Sequence, residues 1–237
     1  MITNNVSKIN ISDIEIDVVK KDIKNIHIGV YPPYGRVRVA SPLNTKDENI
    51  RLAVISRLSW IKKQKENFEN QPRQSVREMV NAESHYFFGH RYLLEVIYRN
   101  GKHEIIKQHS KLELYVRKNT THENKLLVLN EWYRSELKKE LEKLVAKWEK
   151  KIGVKLNRWE VKKMKTKWGS CNIESKNIWF NLELAKVPVE CIEYIVLHEM
   201  VHLLERHHNE RFKELLGSYL SDWESRKKLL ASSMLGV

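Results

Sequence analysis

The stretch Tyr194-Ile195-Val196-Leu197-His198-Glu199-Met200-Val201-His202 decides how this chain is read. Its last five residues have the form H-E-x-x-H, and an apolar run leads into them. On a helix, residues four apart share a face, so His198 and His202 can present two imidazoles to one ion. Glu199, one position along, can reach a water beside that ion. Two nitrogen ligands, an open coordination position and a carboxylate base are the arrangement of a zinc hydrolase. The competing reading is a pair of polar residues on an ordinary helix. Against it, the apolar flank points to a buried helix, where an unpaired His or Glu is costly. His207 and His208 also follow within a few residues.

A catalytic zinc takes a third protein ligand. The candidates are His207, His208 and a downstream carboxylate such as Glu224. An unbroken helix would carry His208 about 9 Å beyond His202, at about 1.5 Å per residue, and rotate it off the ligand face. The helix is therefore expected to end near Leu204 or Glu205, with the chain folding back. Asn209 is a good N-cap for a new helix opening Glu210-Arg211-Phe212. His208 then lies just outside a helix start, where its ring can be aimed. On spacing, His208 is favoured over His207, and either over Glu224. His207 would face solvent or touch substrate at the mouth of the site. No glycine lies between His202 and His208, so the glycine-containing turn of the metzincins is absent.

Further elements make the pattern specific. Lys167-Trp168-Gly169-Ser170-Cys171-Asn172, Ile178-Trp179-Phe180-Asn181, Leu184, Pro188 and Tyr194 through Glu199, with His202, His208 and Phe212, resemble the YgjP-like metallopeptidase family. That family is related to the SprT-like and Wss1-like zinc proteases. The W-G-S-C element is more diagnostic than the zinc motif alone. The resemblance runs from roughly residue 15 to residue 232. It implies a zincin-type fold, Zn2+ held by His198, His202 and His208, and Glu199 as catalytic base. One departure is visible: His207 stands where the family often has Asn.

At 237 residues the chain can form one large domain or two small ones. It has no apolar run of about 18 residues, so no membrane span is expected. Met1-Ile2-Thr3-Asn4-Asn5 lacks the basic-then-apolar pattern of a signal peptide. The two cysteines, Cys171 and Cys191, do not make a disulfide framework, and Cys171 reads as a small core residue. A cytoplasmic location is expected. The formal charge of +13 makes DNA or another polyanion a candidate partner beside a protein or peptide substrate. An ordinary solvated basic surface explains the charge equally well.

The expected fold is α+β. Residues 12–120 read as a mainly antiparallel β region with an inserted helix. Residues 121–237 read as a zincin-like helical metallopeptidase domain with an adjacent β-hairpin. Alternation marks strands at Glu15–Val18, Ile26–Val30 and Val37–Val39, with a turn at Pro32-Pro33. A single helix is expected from Thr45 to about Asn67. Tyr92–Tyr98 and Glu104–Ile106 suggest a hairpin across Asn100-Gly101, and Leu112–Val116 a further strand. Asn130–Lys151 carries a helical apolar stripe. Val161–Trp168 alternates, and Ile178, Phe180, Leu182 and Leu184 share one strand face. One of these two strands is expected to bind an extended peptide at its edge, around Trp168, Gly169 and Ser170. His207, Tyr194 and Arg206 are candidates to stabilise the oxyanion. Glu205 and Asn181 are candidates to orient the ligand rings. No internal repeat is legible. Two other functions fit the motif: hydrolysis of a non-peptide amide or ester, and nucleic-acid binding with a structural zinc. Glu199 argues against the last, since a structural site needs no base.

Overall fold

The computed structural model describes residues 6–31, 35–70 and 77–233. The Pro32-Pro33 turn and the stretch around Pro72 lie outside them. The chain forms two compact units, which meet in sequence between Arg73 and Gln74.

The first unit is a four-stranded sheet with two helices. Its strands are β1 (Val6–Ile11), β2 (Ile14–Lys21), β3 (His27–Tyr31) and β4 (Arg36–Pro42), in the order β1-β2-β4-β3. β1 and β3 run antiparallel to their neighbours, while β2 and β4 are parallel. Alternation does what the sequence predicts: Ile16, Val18, Val37 and Val39 point to one face and are buried. Helices α1 (Asp47–Ile55) and α2 (Leu58–Asn70) add Ile50, Val54 and Ile61 to that core. The single helix expected from Thr45 is therefore two. At the break the Arg57 N–H bonds the Val54 carbonyl three residues back, at 3.0 Å, and the turn tightens. Lys46, not Thr45, stands at the N-cap, and its side chain caps nothing.

The second unit opens with a sheet of the same design. Strands β5 (Ser84–Phe87), β6 (His90–Tyr98), β7 (Glu104–Lys107) and β8 (Lys111–Val116) lie in the order β5-β6-β8-β7. The expected hairpin of β6 with β7 does not form. Both strands pair with β8, β6 in parallel and β7 antiparallel. β8 takes the centre because Leu112, Leu114 and Val116 are its fully apolar face, each almost completely buried. Two of the three pairings in each four-stranded sheet are antiparallel, so the region is mainly antiparallel as expected, and among the described residues each sheet also contains one parallel pair.

Helix α3 (His122–Ile152) crosses this sheet. The Thr121 hydroxyl caps it by accepting the Asn124 N–H at 3.3 Å, and Gly153, at φ +74°, ends it in the left-handed conformation. Leu129, Tyr133, Leu137, Leu141, Val145 and Trp148 form its buried stripe. A three-stranded sheet follows: β9 (Arg158–Lys162), β10 (Gly169–Asn172) and β11 (Asn177–Asn181), in the order β10-β11-β9. The alternation of residues 163–168 is not a strand. Asn181 fixes that segment as a loop: its fully buried amide donates to the carbonyls of Met164 and Lys167 and accepts the Met164 N–H. The same amide oxygen accepts the Glu183 N–H, which turns the chain into a 3-10 helix over Leu182–Lys186. Leu182 and Leu184 are therefore buried from a helical turn, not from a strand.

Helices α4 (Val189–Val201), α5 (Glu210–Tyr219) and α6 (Trp223–Ser232) complete the unit. α4 is buried on nearly all sides, as its apolar sequence requires. The β5–β6 turn braces its entry: the Phe88 and Gly89 N–H groups bond the Ala185 and Lys186 carbonyls at 2.9 and 3.1 Å. Gly89 has φ +81°, and a Cβ there would lie 2.8 Å from Pro188. Glu193 of α4 pairs with Lys147 of α3 and with Arg226 of α6, the latter at 2.7 Å. Leu94, Leu112, Leu137, Trp148 and Leu197 belong to one core. A division at residue 120 would cut through that core.

Candidate active site

α4 ends just as its second histidine is delivered. His202 sits at the C-cap, and the next two N–H groups bond carbonyls three residues back, at 3.0 and 2.9 Å. The chain then turns through Glu205, Arg206 and His207. Asn209 starts α5 by accepting the Phe212 N–H on its side chain at 3.0 Å. The turn comes a little earlier than Leu204, and Asn209 is the cap that its sequence predicts. His208 is held between these two helix ends and swings back over the first two histidines.

The three rings converge. Ring centroids are 5.1 Å apart for His198 and His202, 4.9 Å for His198 and His208, and 4.7 Å for His202 and His208. One ligand atom from each lies within 4.8 Å of the others, and the Nε2 atoms of His198 and His208 are 3.0 Å apart. Phe212 packs against all three rings at 4.7–5.0 Å. His202 Nδ1 lies 3.2 Å from the Glu205 carbonyl oxygen, which leaves Nε2 facing the cluster. His198 Nδ1 lies 3.5 Å from the Tyr194 hydroxyl. When Nε2 is a ligand the proton sits on Nδ1, and Nδ1–H then donates to the tyrosine oxygen.

Electrostatics favour neutral rings. Burial, with the neighbouring histidines, pushes His198 down to about 3. Burial also lowers His202. Neutral imidazoles keep the lone pairs that a metal needs. A tetrahedral ion about 2.0–2.1 Å from each nitrogen requires nitrogens roughly 3–4 Å apart, a spacing these rings approach. The donor set therefore fits a divalent metal of the zinc kind.

Glu199 lies beside the cluster and is 6 % exposed. Burial raises its carboxyl to about 7, opposed by the charge of Lys167. Gly169 makes room for it: a Cβ on Gly169 would stand 2.6 Å from the Glu199 side chain. The glycine expected to admit a substrate backbone thus also admits the carboxylate. A cleft of about 600 Å³ opens here, lined by Trp168, Gly169, Ser170, Tyr194, the three histidines and Glu199. β10 forms its wall and, among the described residues, is an edge strand bonded to β11 alone. Cys171 also lines the cleft, and burial pushes its thiol up to about 12, so it stays protonated and inert.

His198, His202, His208, Glu199, Trp168, Gly169 and Ser170 are all brought together. His207 and Glu224 are not: His207 is exposed, donates its backbone N–H to Glu205 at 3.1 Å and does not line the cleft, and Glu224 is exposed on α6. Of the residues considered for ring orientation, Asn181 holds the 163–168 loop instead, and Glu205 acts through its carbonyl. Tyr194 takes up that role at His198. Its position four residues before His198, on the same helix face, was the signal for it. The packing of Phe212 on the rings had no such signal beyond its place in the first turn after Asn209.

An α+β fold with a buried H-E-x-x-H helix and a third imidazole from the following loop defines a metallopeptidase. The chain belongs to the YgjP-like metallopeptidase domain family, whose model matches residues 24–233. It is accordingly a metal-dependent peptidase. Among solved structures, that of the metallopeptidase zymogen of Pyrococcus abyssi abylysin is similar to part of it, with a TM-score of 0.34 and 17 % identity over 38 % of this chain and 87 % of that one. No curated protein matches the sequence. No described helix is long and apolar enough to cross a membrane.

Proposed function

We propose that the protein is a zinc endopeptidase with His198, His202 and His208 as ligands and Glu199 as general base. The observation that carries this reading is the convergence of three imidazoles beside one buried carboxyl, with burial lowering the pKa of His198 and His202 and raising that of Glu199 to about 7. Bound zinc would supply a Lewis acid that polarises a carbonyl and lowers the pKa of water to about 7. Glu199 takes a proton from the attacking water and returns it to the leaving amine. A carboxyl raised to about 7 suits both halves of that task. An extended peptide adds to the free edge of β10 at Gly169 and Ser170, so main-chain hydrogen bonds position the scissile bond. Trp168 supplies apolar surface beside it. Tyr194 and Glu205 keep the ligand rings turned inward. The net charge of +13 supports a second partner, a polyanion such as DNA, near the protein substrates.

The test is cleavage of an unstructured protein by wild type and Glu199→Gln, each with measured zinc content. The expected result is equal zinc and a loss of at least about a thousandfold in kcat/KM. Loss of zinc in the Glu199→Gln variant would show that the carboxylate is a ligand and not the base. His208→Ala should lose zinc and His207→Ala should keep it; the reverse pattern would exchange their roles.

A further inference from the structure

The cleft is unevenly charged. Lys167, Arg206 and Lys227 line it, and among the described residues Glu199 is the only carboxylate that does. The three cations come from separate elements. Lys167 precedes β10, Arg206 stands in the loop between the second and third histidines, and Lys227 is on α6. All three are exposed, and none forms an ion pair among the described residues. A second cleft of about 400 Å³ adjoins the first: Ser170, Cys171, Ile173 and Arg206 line both, and the second has one cation, Arg206, and one carboxylate, Glu174. Arg206 therefore stands where one opens into the other, against the far part of β10.

We infer that the site selects peptide segments with acidic side chains on both sides of the scissile bond, and that Arg206 is the principal selector. This rests on the peptidase reading given above. A peptide extended along β10 advances about 3.3 Å per residue, so residues two to four positions from the reacting bond reach the ends of the strand. There they meet Arg206 at the mouth of the second cleft and Lys167 at the start of β10, with Lys227 facing them from α6. The guanidinium of Arg206 can hold a carboxylate with two hydrogen bonds, which a lysine cannot. A basic peptide would instead bring like charges against three cations, and that repulsion adds to the discrimination.

Two matched fluorogenic peptides test this, one with Asp and Glu flanking the scissile bond and one with Lys. The zinc-loaded wild type should cleave the acidic peptide at least about tenfold faster in kcat/KM, with the difference shrinking as salt rises. Arg206→Glu should lower that preference about tenfold at unchanged zinc content. Lys227→Glu, on a different element, should lower it less. Binding of the same peptides to the Glu199→Gln variant, followed by fluorescence anisotropy, gives a readout independent of turnover, and the acidic peptide should bind more tightly. Acidic binding that Arg206→Glu weakens, with no cleavage of either peptide, would support the charge selection and refute the peptidase reading. Equal cleavage and equal binding of both peptides would overturn the inference. It would also be overturned if a single-stranded oligonucleotide displaced the acidic peptide and Arg206→Glu abolished that displacement, since the cleft would then be a nucleic-acid groove.

Discussion

The first and second sheets have one topology and two uses. Both run hairpin, parallel step, hairpin, in the same strand order. Both first hairpins turn through two residues, Ser12-Asp13 and Phe88-Gly89. Counted from those turns, Ile9 matches His85, Ile16 matches Tyr92, and Val18, paired with Val39, matches Leu94, paired with Leu112. The first sheet closes on α1 and α2 with a small aliphatic core. The second closes on α3, and its hairpin also bonds the chain entering the helix of His198. Position for position, apolar residues recur where the design needs a core. At one matched place the second sheet has a buried polar residue, His85, where the first has Ile9.

The largest expected effects come from truncating the matched central positions. Leu94→Ala should cost roughly 2–5 kcal/mol and Val18→Ala somewhat less, each leaving a cavity in a buried strand. Only Leu94 shares a core with Leu197 of the metal helix. Hydrogen exchange should localise the Val18→Ala loss to residues 6–70, with zinc content and kcat/KM unchanged. Leu94→Ala should weaken zinc binding as well. Equal loss of activity in the two variants would break the comparison.

Gly169→Ala comes next. It adds a methyl group 2.6 Å from the Glu199 carboxyl, which must move. A displacement of about 1 Å of a reacting group costs on the order of a hundredfold in rate. The expected result is that loss with zinc content and melting temperature preserved. A variant retaining full activity would show that Glu199 need not occupy its present place.

How much of this was legible follows from the range of the interactions involved. The pairing of His198 with His202 needed only helix periodicity; the N-cap of Asn209 favoured His208 over His207 as the third histidine without deciding it, and the family resemblance supplied the choice. The strands of the first sheet were marked by alternation in Ile16, Val18, Val37 and Val39. The shared strand order of the two sheets was invisible, because alternation says which residues face the core but not which strand lies beside which. Ile9 and His85 occupy one place in it and have no chemistry in common. The loop at 163–168 was misread because Lys163, Lys165 and Lys167 alternate with less polar residues by chance of spacing. The restraint that makes it a loop is the buried amide of Asn181, which lies far along the chain.

His85 gives a pH-dependent form of the comparison. It is 2 % exposed, and burial, with Arg77 adding to it, pushes it down to about 4. Its Nε2 lies 3.2 Å from a Glu83 oxygen, out of line for a hydrogen bond. Above the ordinary histidine value near 6.5 neither state holds the proton. Below it the unfolded chain takes up a proton that the folded one refuses, so stability falls from about pH 6.5 to about pH 4. Between pH 7 and pH 5 the loss should be about 2 kcal/mol. Denaturant unfolding of wild type and His85→Phe at the two values isolates it, because other titrations cancel in the difference. Ile9→Phe at the matched place in the first sheet should show no such dependence, and a similar slope there would break the contrast.

The smallest effect should come from a contact that resembles that of Gly169. A Cβ on Gly29 in β3 would stand 2.7 Å from the ring of Tyr31, almost as close as the one on Gly169 to Glu199. The neighbours differ, though. Tyr31 is 43 % exposed and its ring can swing outward at little cost, whereas Glu199 is enclosed and its proposed role depends on its position. Gly29→Ala also removes backbone freedom from the unfolded chain, which offsets part of any strain. Its net effect on stability should be within about 0.5 kcal/mol, with activity unchanged. Thermal unfolding and cleavage rates of the two glycine variants, measured side by side, then separate steric closeness from functional consequence. A Gly29→Ala loss of more than about 1 kcal/mol would mean that the Tyr31 ring is held in place as firmly as the carboxyl, and that the first sheet is tuned as closely as the second.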